Sequence, residues 1–148
     1  MANVLNDLSG VVKAITEFGE LLTGILKDLT SWRKDKRNKI AALLDHVAKD
    51  VLKIADGLKK REVKYETFGE INTYSKQLPD LIKSVYKADV ADELGEALKR
   101  VYLSKETCAE LMRTNSASDL ARKVEELAAT MESSAGTIKA TATALRGV

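Results

Sequence analysis

One cysteine, one histidine, one proline and one tryptophan are all that 148 residues hold of four chemically distinctive residue types. Each scarcity excludes something. A lone cysteine, Cys108, rules out an intramolecular disulfide framework and a cysteine-built zinc site, and it fits a reducing compartment, so a cytoplasmic location is expected. A lone histidine, His46, leaves nucleophilic triads with a single candidate base. With Asp50 one helical turn further on and Asp45 adjacent, it makes at most half a zinc site.

There is also no long hydrophobic run. Asp7, Lys13, Glu17, Glu20 and Lys27 interrupt the most apolar region, so no membrane span of about 20 residues is expected. The first residues lack the basic start and continuous apolar core of a secretory signal. No Glu-x-x-His occurs, which argues against a di-iron centre of the ferritin type. No Gly-x-Gly-x-x-Gly or Gly-x-x-x-x-Gly-Lys is present to cradle a nucleotide phosphate. The carboxylates Asp92, Glu93 and Glu96 are accounted for by a charged first helical turn. The expectation is a protein that is not an enzyme and carries no cofactor or metal.

What is present is helical periodicity. Val4, Leu8, Val11, Ile15, Phe18, Leu22, Ile25, Leu29 and Trp32 follow at steps of four and three over about seven turns. Leu5, Val12, Gly19 and Leu26 widen that stripe beyond a coiled-coil seam. A second seam, Ile40, Leu44, Val47, Val51, Ile54 and Leu58, cannot be joined to the first in phase, because the first would continue through Lys36 and Lys39. A corner is therefore expected between them, with Thr30 or Ser31 as the cap of the second helix.

Further along, Thr67 and Glu70 have capping-box spacing. Phe68, Ile71, Tyr74 or Ser75, Leu78, Leu81, Ile82 and Val85 supply a third apolar stripe, and Pro79 predicts a kink or restart inside it. Asp89, Asp92 and Glu93 resemble a further helix start, leading to Leu94, Leu98, Val101, Cys108 and Leu111 or Met112. Ser116 and Asp119 open a last helix through Leu120, Val124, Leu127, Met131, Ile138 and Leu145. Alanine rows at steps of seven, Ala41, Ala48 and Ala55, then Ala121, Ala128, Ala135 and Ala142, mark faces where helices approach closely. Glycines 10, 19 and 24 on the first helix suggest close backbone packing there. The sum is one all-α domain over residues 1–148, an antiparallel four-helix bundle of long helices with one interrupted near Pro79 or Asp89.

The net charge is only +2, but it is unevenly spread. Residues 33–64 carry eleven bases against five acids, and both flanks are slightly acidic. The densest run, Arg33, Lys34, Lys36, Arg37 and Lys39, follows Trp32. These six residues form the candidate membrane- or anion-binding site, because tryptophan prefers the membrane interface and adjacent cations attract anionic headgroups. The bland alternative is a solvated corner between two helices. A rival functional reading is a small nucleic-acid-binding or structural helical protein using residues 33–64 for phosphates, with affinity that falls steeply in salt.

An amphipathic first helix, a basic junction and a second long helix in a bundle of this size resemble in layout the four-helix effector domains of cell-death executioners of the HeLo or mixed-lineage-kinase-like type. The resemblance spans the whole chain, rests on layout and no motif, and implies membrane permeabilisation. The function expected is association, with a protein partner or with itself, combined with peripheral contact to an anionic membrane.

Overall fold

The computed structural model describes the backbone of residues 2–113 and 118–147, and the side chains of residues 9–29, 31–113 and 121–147. The side chains of Val4, Leu5, Leu8, Thr30 and Leu120 and the expected cap at Ser116 and Asp119 lie outside them.

All described secondary structure is helical. Helix α1 spans Ala2–Ile25, a 3-10 turn follows over Leu26–Ser31, and α2 spans Lys34–Lys59. Next come α3 (Tyr65–Lys83), α4 (Ala88–Leu103), α5 (Lys105–Arg113) and α6 (Ser118–Gly147). The apolar seams are the buried faces. Val11, Ile15, Phe18, Leu22, Ile25, Leu29 and Trp32 are buried on the first, and all six residues of the second seam are buried on α2.

The expected four-helix bundle gains a member because the third stripe folds back on itself. Pro79 does not break α3, which runs through it to Lys83. The chain reverses instead at Ser84–Lys87, and Asp89 falls in the first turn of α4. Helix α5 then continues α4 past a turn at Ser104, whose Oγ donates to the carbonyl of Val101.

Five helices close into a ring in the spatial order α6, α2, α3, α4, α1 and back to α6. Ion pairs fix the directions. Lys59 with Glu132 and Asp45 with Arg146 make α2 and α6 antiparallel. Glu17 with Arg100, and Ile25 beside Tyr86 and Val90, do the same for α1 and α4. The α2–α3 and α3–α4 hairpins are antiparallel through their short connections. A ring of five cannot alternate throughout, so α1 and α6 run in the same direction. Between them lies a groove of about 600 Å³ lined by Thr16, Gly19, Thr23, Thr130, Ser133 and Thr137, among others.

Helix termini depart from the capping signals in the sequence. Arg33, Lys64 and Lys87 occupy the N-cap positions of α2, α3 and α4, and none makes a side-chain cap hydrogen bond. Ser31 donates instead to the carbonyl of Asp28, closing the 3-10 turn. Thr67 is buried inside the first turn of α3 and does not start it. At the far end of α2, Arg61 adopts φ 61°. The amide of Glu62 bonds back to Gly57 at 2.7 Å and that of Arg61 to Leu58 at 3.1 Å, a Schellman motif with arginine where glycine is usual.

The glycines of α1 do not mark close packing. Among the described residues, a Cβ added at Gly10 or Gly24 would meet nothing within 4 Å, and at Gly19 only an ordinary contact with Thr137. The close approach lies at Gly95 on α4, where a Cβ would come within 2.5 Å of Pro79 Cγ and 2.8 Å of the Ser75 carbonyl oxygen. Proline 79 cannot donate to the carbonyl four residues before it, which is that of Ser75. The carbonyl freed by Pro79 faces the helix residue that has no side chain.

Candidate functional site

The corner between α1 and α2 is built by a change of register. After the 3-10 turn, Trp32 and Arg33 are extended, with ψ 141° and 140°, and α2 starts at Lys34. Trp32 is the last member of the α1 seam, and its side chain goes inward, only 4% exposed. Its ring packs on Tyr86 at 5.4 Å between centroids. The Tyr86 hydroxyl donates to Asp28 Oδ2 at 2.7 Å, so the α3–α4 turn is tied to the corner. That hydrogen bond, then burial, raises the Tyr86 hydroxyl pKa. The tryptophan expected at a lipid surface thus occupies the core in this fold.

The five cations separate into different environments. Arg33 pairs with Asp35 at 3.1 Å in solvent. Lys34 and Lys39 are exposed and Lys36 half-buried. No ion pair engages these three among the described residues. Arg37 is 7% exposed, and among the described residues neither its Nε nor Nε1 of Trp32 has a hydrogen-bond partner. Trp32 and Arg37 flank the first turn of α2, one before its N-cap and one just past that turn. That turn has amides without intrahelical partners and the positive end of the helix dipole. The corner therefore gathers donors and positive charge with few acceptors to match them.

A second polar cluster lies in the seam between α2 and α3. Asp50 is 2% exposed and among the described residues its Oδ2 has no conventional donor. The group facing it is another carboxyl, that of half-buried Glu70 on α3. Burial, then the hydrogen bond to Glu70 and the charge of Glu70, push the Asp50 carboxyl pKa up to about 7, against the weaker opposing charges of Lys53 and Lys49. Tyr74, one turn beyond Glu70, has its hydroxyl pKa raised by burial and by both carboxyls. His46 is exposed and stacks on Tyr74 at 6.2 Å.

The sequence spacing pairs His46 with Asp50, but the fold turns Asp50 to Glu70 and gives the imidazole to Tyr74. Glu70 read as a cap and Tyr74 as core. The available signal was Asp50 itself, an acid seven residues after buried Leu43 and seven before buried Gly57.

Among the described residues, no group of three His, Cys, Asp or Glu side chains is disposed to hold a metal ion. No helix among them is long and apolar enough to cross a membrane. A groove of about 590 Å³ between α2 and α6 contains Ala48 and Ala135, one from each alanine row, with Leu52 at its edge 47% exposed. Comparison with protein-family models, curated proteins and solved structures finds no significant match to this chain.

Proposed function

We propose that this protein is a non-catalytic helical module acting by association, docking on anionic membrane surfaces through the corner at the start of α2. The observation that carries this reading is the imbalance at that corner. Lys34, Lys36 and Lys39 have no acidic partner among the described residues, and beside them, among those same residues, Arg37 Nε and Trp32 Nε1 are buried donors with no acceptor. The contact uses the folded bundle, with Trp32 and the α1 seam remaining inside. Association with a protein partner or a second copy draws on exposed Leu52 at the α2–α6 groove.

Flotation with phosphatidylcholine vesicles, with and without phosphatidylserine, tests the reading. Wild type should float only with the anionic vesicles. Each cation near such a surface contributes about 1 kcal/mol, so Lys34→Gln, Lys36→Gln and Lys39→Gln together should weaken partitioning about 100-fold. Wild type that stays at the bottom in both cases overturns the membrane reading. Binding to duplex DNA or RNA that falls steeply with salt, without vesicle binding, would favour the nucleic-acid alternative. Light scattering above the monomer mass of 16.2 kDa would support self-association.

A further inference from the structure

We propose that Asp50 and Glu70 form a proton-binding site that holds α3 onto α2 while the proton is bound and loosens that seam when it leaves. The inference is independent of what the basic corner binds.

The geometry leaves few other roles for the pair. Buried carboxylates are ordinarily matched by a cation or by several donors. Asp50 is almost wholly excluded from water, yet among the described residues no ion pair engages it and its Oδ2 has no donor. Lys49 and Lys53 are on its own helix and both are exposed. From α3 it faces Glu70 and, one turn on, Tyr74. His46 lies over Tyr74 at the solvent edge, and His46 and Lys49 also reach the groove where α6 brings Glu132 and Lys139. A carboxyl can donate to a second carboxyl only while one proton remains between them. Without it, two anions adjoin in a seam where one has almost no access to water.

The proton is held more tightly in the folded chain than in the unfolded one, since the Asp50 carboxyl is raised from 3.8 to about 7. Its contribution is therefore complete below about pH 4 and is lost as pH rises through about 7. What it holds is one seam of the ring. Helix α3 remains attached to α4, and α4 to α1, when the α2–α3 contact weakens. Opening there uncovers apolar side chains such as Phe68 and Ile71 on α3, which the closed ring buries. Association through those surfaces would then depend on pH near neutrality.

Side-chain carboxyl NMR on the intact wild-type protein reads the site directly. Asp50 should titrate with a midpoint near 7. Amide hydrogen exchange, corrected for intrinsic rates, reads the lock. Protection over Tyr65–Leu78 should fall about thirtyfold between about pH 5.5 and about pH 8.5, following from the loss of one bound proton. Asp50→Asn should remove that dependence, and His46→Gln should leave it intact. A wild-type Asp50 midpoint in the ordinary carboxylate range near 4 would overturn the proton site. A midpoint near 7 with pH-independent protection of α3 would overturn the lock.

Discussion

Replacing Gly95 with alanine tests the most specific packing feature of the fold. In an exposed helical position the change would help, since alanine is favoured over glycine by about 1 kcal/mol. At Gly95 the new methyl would lie 2.5 Å from Pro79 Cγ and 2.8 Å from the Ser75 carbonyl oxygen. Carbon contacts are comfortable at about 3.5–4.0 Å, so α3 and α4 must separate by about 1 Å. Neither neighbour can swing aside, because one is a proline ring and the other is backbone. Overpacking of this kind costs about 1–3 kcal/mol, and the separation also loosens buried Leu78, Ile82, Leu94 and Leu98. The net expectation is destabilisation by about 1–2 kcal/mol despite the better helix propensity.

Urea denaturation followed by circular dichroism measures this against Gly10→Ala and Gly24→Ala, where nothing among the described residues lies within 4 Å. With a slope of about 2 kcal/mol per molar urea, the Gly95→Ala midpoint should fall by about 0.5–1 M. The two α1 variants should each rise by about 0.3–0.5 M. Pro79→Ala added to Gly95→Ala should recover more stability than Pro79→Ala adds to wild type, because it removes the ring that the methyl strikes. A Gly95→Ala protein as stable as Gly10→Ala would refute the close crossing of α3 and α4.

Two further outcomes follow from local geometry. Arg61 holds a left-handed conformation at φ 61°, so Arg61→Gly should stabilise the protein by about 0.5–1 kcal/mol in the same urea assay, and Arg61→Val should destabilise it. Cys108 is fully buried, and burial pushes its thiol pKa up to about 11 against the smaller opposite effect of a hydrogen bond with Ser104. A thiol reagent at neutral pH should therefore label it about 100-fold more slowly in the native protein than in denaturant, with a rate that tracks global opening.

The seams were legible because one-sided burial stamps a period of 3.6 residues on a helix, and Val11 to Trp32 and Ile40 to Leu58 carry that stamp without a break. Helix ends were legible only in part: Asp89 does lie in the first turn of α4, but other signals sit in the wrong places. Pro79 marks a break and causes none, its freed Ser75 carbonyl being faced by Gly95 across the seam. The true reversal, Ser84–Val85–Tyr86–Lys87, contains neither glycine nor proline. The N-caps Arg33, Lys64 and Lys87 belong to no capping class. Trp32 is instructive in another way. Its place at the end of the α1 seam already implied burial, and the cations after it drew attention to the surface instead. The Asp50–Glu70 contact depends on how α3 folds back against α2, which spacing along a single helix does not encode.

Donor accounting favours the corner over the larger cavities. The α1–α6 groove is rich in hydroxyls, yet Thr23, Thr130 and Thr137 already donate to the carbonyls of Gly19, Glu126 and Ser133 on their own helices. A ligand entering there would have to compete with bonds that are already made. The corner is smaller but has the opposite balance. Among the described residues, Trp32 Nε1 and Arg37 Nε are buried with no acceptor, and Arg33 at the N-cap of α2 makes no side-chain cap hydrogen bond. Recognition of an anion depends on donors that are oriented and unengaged, so volume ranks these sites in the wrong order.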